Sequence, residues 1–414
     1  MITIRAITLV LIGAALFSNC SKAPRLQSNS TTRSLDSGDL SSVTTKQLRN
    51  ELIRRRISGS SSPLLRKLFA IQGLLHQSSL SEAGIPAPSP SEYPGFPLSP
   101  TPPEEPVHET QVLQEASTDA IVETYKAKVE NEMLWGVHGP TDDRIDLIDE
   151  SNPSRRLVAR SVGGFINAPF VQLSGKTAVL VAHKLRNPDA PSKPICADVR
   201  FEEQPALPYC SGVLVGPDTV VTARHCIEDR DLHSLRFVFG FAMPPRSKDP
   251  NLVTRVSSSD VFSLKEVIKI GPTPPLGEYD FEHDFAIVRL SGKAKNRSPV
   301  GIDDGSFPSA STAFYMIGHP SGLPLKITNN GRILSAVRDG IFVSNLDAFE
   351  GNSGSPIFGS NNKLIGILVG GGNDYYVAPD QACCSVVNCL DDNPTCVGEI
   401  GLISGVFAPF LPRG

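Results

Sequence analysis

The sequence predicts an all-β fold for its last two thirds. Three observations carry this. Gly 34 and Pro 35 are abundant in 414 residues. From about Val137 onward, short runs rich in Val, Ile and Phe alternate with Gly/Pro/Asn turns to the end of the chain. Long stretches of helical periodicity are few, which points to a turn-rich β architecture. The chain is long enough for two or three domains, or for one large two-part domain with appended segments.

Taken in order, residues 1–19 read as an export signal. Arg5 supplies the positive charge, Ala6 to Phe17 form a short apolar run, and small and polar residues lead to Cys20. The run is short for a bilayer span. The stretch Leu16-Phe17-Ser18-Asn19-Cys20 resembles a bacterial lipoprotein signal, with Phe17 and Asn19 departing from the usual pattern. The resemblance implies lipidation of Cys20. The expected location is outside the cytoplasm: an outer-membrane lipoprotein, or a periplasmic or secreted protein, touching membrane only through that anchor.

Residues 20–110 read as a tether or pro-region. Ser21 to His76 holds ten Lys/Arg against three Asp/Glu, a solvated face or a segment that lies on anionic lipid. Pro86 to Pro106 contains nine prolines, an extended and semi-rigid spacer. Over 111–136, the spacing of Val112, Ala116, Ile121, Val122, Tyr125, Val129 and Met133 predicts an amphipathic helix. The β domain then occupies 137–414. The net charge of −4 is mild, and no nucleic-acid partner is expected.

Export implies an oxidising compartment. Beyond Cys20 there are seven cysteines, so one remains unpaired or pairs between molecules. The cluster Cys383, Cys384, Cys389 and Cys396 lacks the spacing of a zinc site, and disulfides are expected instead. The pairing of these four and of Cys196 stays open. No metal and no cofactor are expected.

Three stretches carry chemistry. In YCSGVLVGPDTVVTARHCIED, two strands flank a turn at Gly216-Pro217-Asp218. Cys210 and Cys226 stand eight residues either side of Asp218, so they face each other and can bridge. Such a bridge is worth ~3 kcal/mol by the chain-entropy argument and pins His225, the candidate base. In EYDFEHDFAIVRL, Asp284 stands at the mouth of an apolar run, where a carboxylate is costly without a partner. An imidazole N–H satisfies it. His283 is the competing base, with no strand or bridge before it. In FEGNSGSPIF, Ser353 is the candidate nucleophile, and the bare backbone at Gly351 and Gly354 lets the N–H groups of Gly351 and Ser353 converge on an oxyanion. The chain order His225, Asp284, Ser353 is the chymotrypsin order.

TARHC, DFAIVRL and GNSGSP resemble trypsin-like serine proteases. GNSGSP and GVHGPTDDRIDL, from Gly136, are similar to the bacterial glutamyl-endopeptidase branch. The likeness spans about 137–414. It implies two six-stranded antiparallel barrels with the three residues in the cleft between them, and hydrolysis of a protein or peptide substrate through an acyl-enzyme. Asn352 is neutral and cannot pair with a new N-terminal amine, as an aspartate does in animal trypsins. Cleavage near Trp135–Val137 would still make the chain a zymogen. Leu368 stands where the glutamyl branch has a histidine, whereas Asp347, six residues before Ser353, matches the pocket floor that selects Lys or Arg. Gly370 and Gly371 are expected to line the substrate edge. The rival expectation is an inactive protease-like binding or adhesion module.

Overall fold

The computed structural model describes residues 136–412, except 140, 188–189, 245–252, 274–279, 304–307, 310–311, 337–339, 373, 378–381 and 390–397, and a few positions between 48 and 124. The expected signal 1–19 with Cys20, the Pro-rich tether and most of the helix over 111–136 lie outside the described residues.

The first half is a closed barrel of antiparallel strands in the order Leu235–Phe239, Val261–Ile270, Ala286–Leu290, Thr219–Thr222, Cys210–Gly216 and Val162–Asn167. Its β-branched runs are buried: Val213, Val220, Val221, Ile287 and Val288 all face away from water. Three rings pack through the interior, Phe165 tilted against Phe237 at 4.8 Å and Phe237 edge-on to Phe239 at 4.9 Å. Their bulk explains Gly163 and Gly212. A Cβ on Gly163 would lie 2.9 Å from the Phe237 ring, and one on Gly212 would lie 3.0 Å from Phe165. The predicted hairpin forms with Val213 opposite Val221, and a bulge precedes the Gly216–Thr219 pair.

The second half is one eight-stranded sheet in the order Ile333–Ala336, Ile341–Ser344, Glu399–Ile403, Leu364–Gly370, Pro356–Gly359, Phe314–Gly318, Lys326–Gly331 and Ile145–Asp146. It differs from the six-stranded closed barrel that the resemblance implies. Lys326–Gly331 and Ile333–Ala336 are separated only by Arg332, so the two sides of the sheet are joined by continuous chain and not by a hydrogen-bonded seam. The two-residue strand Ile145–Asp146 extends one edge and belongs to the segment that precedes the first barrel.

One apolar core runs through both halves, from Phe165 and Phe237 to Phe358 and Ile400. A short helix, Pro153–Ala159, leads into the first barrel. Proline at its first turn and the Asn152 side chain, which accepts the Ser154 N–H at 2.9 Å, set its start.

Candidate active site

The strand Thr219–Thr222 delivers His225 through a single 3-10 turn, Arg224–Cys226. Cys226 is bridged to Cys210, with Cα atoms 6.1 Å apart. The neighbouring strand Ala286–Leu290 pairs Ala286 with Thr222, which puts Asp284 beside His225 although 59 residues separate them. Asp284 is fully buried. Its Oδ2 accepts the His225 ring Nδ1–H at 2.7 Å, and its Oδ1 accepts the His225 main-chain N–H at 3.0 Å. Burial pushes the Asp284 carboxyl up, but the adjacent imidazole and these two donors outweigh it and hold it below the usual carboxylate range. The ring is half-buried with Nδ1 turned to Asp284, so a base role at His225 would fall to Nε2.

Ser353 sits in a turn of the second half that the first half holds in place. Its carbonyl accepts the Ser211 N–H at 2.8 Å. Cys226 Sγ lies 3.6 Å from the same oxygen, so the backbone of Ser353 abuts the residue next to His225. Ser211 Oγ donates to the Gly351 carbonyl at 2.8 Å, and Thr222 Oγ1 donates to the Ser211 carbonyl at 2.7 Å. Gly351 has φ +94° and Gly354 has φ +79°. A Cβ on Gly354 would collide with Thr222 Oγ1 and the Ser211 carbonyl. The N–H groups of Asn352, Gly354 and Ser355 all donate within the fold. Those of Gly351 and Ser353 have no acceptor among the described residues. Two uncommitted donors flanking a serine are what a developing oxyanion requires. Asn352 is buried, and its Oδ1 accepts the Ser355 hydroxyl at 3.1 Å.

Of the remaining candidates, His283 pairs with Asp280 at 2.7 Å in a more exposed loop. It is not brought to Ser353. Asp347 does not open onto substrate space. It is 2 % exposed, and its two oxygens accept the main-chain N–H groups of His138 and Asp143, both at 2.7 Å. Burial first, and then the neighbouring Asp143 carboxylate, push the Asp347 carboxyl up to about 8. The floor position is thus turned towards the segment 138–143. Arg144, in the same segment, stacks its guanidinium 3.7 Å from the Phe349 ring centre and pairs with Asp142 at 2.6 Å.

Gly370 pairs with Ile400 on the sheet, and Gly371 follows it against a buried carboxylate. A Cβ on Gly371 would lie 2.6 Å from Glu399 Oε2. The burial of Glu399 and Arg144 was not legible: Glu399 is a charged residue that opens a strand, and Arg144 stands in the irregular stretch just before Ile145–Asp146. The open cysteine pairing resolves in part. Cys196 bridges Cys383 across 187 residues, Cys389 is disulfide-bonded, and Cys384 is a buried free thiol.

Residues 210–367 match the trypsin-like peptidase domain family. Granzyme M of Rattus norvegicus is 29 % identical over 189 residues, which are 38 % of this chain and 67 % of granzyme M. A glutamyl endopeptidase of Staphylococcus aureus is 26 % identical over 171 residues, 39 % of this chain and 46 % of the relative. The match to this relative therefore spans less than half its length. A solved structure of a Glu endopeptidase aligns with 66 % of this chain and 96 % of its own at 14 % identity and a TM-score of 0.36. The likeness to the trypsin-like peptidase domain family thus lies in residues 210–367, and one closed six-stranded barrel beside a second, open sheet is the arrangement of a chymotrypsin-like fold.

Proposed function

We propose that the protein is an exported serine endopeptidase that hydrolyses peptide bonds through an acyl-enzyme. One observation carries the reading: Ser353 is pinned beside the His225–Cys226 turn with two uncommitted N–H donors, from Gly351 and from itself. In this reading His225 Nε2 takes the Ser353 hydroxyl proton as Oγ attacks the carbonyl carbon. The negative oxygen lies against the Gly351 and Ser353 N–H groups. His225 then returns the proton to the leaving amine, and water releases the acyl group by the same steps. Asp284 holds the ring tautomer and stabilises the imidazolium. Gly370 and Gly371 supply the edge along which the acyl side of the substrate lies. Cleavage after Lys or Arg through Asp347 draws no support from the geometry, because that carboxylate is occupied by His138 and Asp143.

The test is labelling with a fluorophosphonate probe. The wild type labels and Ser353→Ala does not; peptide turnover falls by about 10⁶ in the variant. Equal labelling of both proteins removes Ser353 from the mechanism, and the inactive binding module then becomes the reading to pursue.

Residues 1–19 direct export in this proposal, Cys20 carries the lipid, and 20–136 serve as tether or pro-region. No helix among the described residues is long and apolar enough to cross a membrane. Incorporation of labelled palmitate that disappears in Cys20→Ser checks the anchor; incorporation unchanged by that substitution overturns it.

A further inference from the structure

The turn that carries Ser353 has two flanks. On one, the Gly354 N–H donates to the Leu368 carbonyl at 2.7 Å, so this flank faces the strand that ends in Gly370. On the other, Gly351 packs against Pro208, the His319 carbonyl and Gly322. This second flank adjoins a cavity of about 220 Å³ lined by Pro208, Tyr209, Glu350, Gly351, His183 and Arg186 among others. The walls are built to hold their shape. Tyr209 adjoins the Cys210–Cys226 bridge. The Glu350 N–H donates to Asp374 at 2.6 Å, and its carbonyl accepts the Ser321 N–H at 2.5 Å. His183 and Arg186 belong to a segment tied down by the pairing of His183 with Ala206 and by the Cys196–Cys383 bridge.

Arg186 and Glu350 are the charged residues of the lining; His183 also lines the cavity, and Lys184 is its neighbour in the chain. Arg186 is exposed, and it forms no ion pair among the described residues. Glu350 is the one acidic residue of the lining. A guanidinium without a fixed counter-ion beside a shaped, partly apolar cavity is suited to a carboxylate that arrives with the substrate.

We propose that this cavity is a leaving-group-side subsite that selects a substrate residue bearing a carboxylate, within the first three positions after the scissile bond, and that Arg186 is its specificity-determining residue. The proposal rests on the endopeptidase reading. In that reading the acyl side of the substrate lies along Gly370 and Gly371, and the departing chain leaves past Gly351, which is one of the residues lining this cavity.

The experiment compares quenched fluorescent peptides that share one acyl side and carry Glu, Gln or Lys at each of the three following positions. At one position the wild type favours Glu over Lys by about threefold to tenfold in kcat/KM, the scale of a partly exposed charge contact. The preference shrinks as salt is raised. Arg186→Glu reverses it, and Arg186→Gln abolishes it; thermal unfolding like the wild type's establishes that the variants are folded. Equal rates for Glu and Lys at all three positions overturn the proposal, as does a preference unchanged in both variants. Absence of turnover of every peptide, together with absence of fluorophosphonate labelling, overturns the endopeptidase reading itself and so is distinct from failure of the subsite.

Discussion

Asp284 shows how one residue converts a fold into a base. It is fully buried, and a lone carboxylate there would be expelled or protonated. Two N–H groups of the same residue, His225, take on that task, and the ring contact holds Nδ1 against the carboxylate. Replacing Asp284 by Asn keeps the shape but offers Nδ1 an amide donor, which favours the opposite tautomer. Asp284→Asn is therefore expected to lower kcat by about 10⁴, with KM changed far less, as measured on a fluorogenic peptide. A loss of under tenfold would assign Asp284 a structural role. His225 and Asp284 were legible in the sequence because each adjoins a strand with strong β pattern. Asp347 was not. An offset from Ser353 fixes where a backbone lies but not which way a side chain turns, and the main-chain donors of His138 and Asp143 decided that.

Among the elements, the described residues between His138 and Arg144 brace the stretch that leads into the serine turn, without forming a strand longer than two residues. They meet Asp347 through two N–H groups and Phe349 through the Arg144 guanidinium, and Val137 pairs beside Asn388. The proton on Asp347 belongs to this contact. Its folded value of about 8 lies above the ordinary 3.8, so the native state binds the extra proton between those two values. Stability from this group is complete below the ordinary value and is lost as pH rises towards 8, with a slope of up to about 1.4 kcal/mol per pH unit. Asp143, itself shifted upward by burial, shares that proton and adds repulsion once it is gone. Asp347→Asn carries no such charge. Urea unfolding at pH 6, 7 and 8 is expected to show a steeper alkaline loss for the wild type than for the variant; parallel slopes would mean the carboxyl is ionised throughout. The turn before Ser353 was visible as GNS, but this support was not, because two-residue strands have no period to detect.

The molecule as a whole is two β units sharing one core, and its function depends on their junction. His225 and Asp284 come from the closed barrel, and Ser353 from the wrapped sheet. Ser211 and Thr222 bind the two together at the serine turn. Strand patterning made the β class and the catalytic hairpin readable. The basic stretch at the leaving-group cavity was hidden, since HKLR has neither a β pattern nor a motif, and Cys196 gave no hint of a mate 187 residues away. That last bridge encloses His225, Asp284 and Ser353 in a single covalent loop. A nick anywhere inside it leaves both pieces joined through sulfur, so a chain cut there still carries all three candidate residues on one molecule until a reductant arrives.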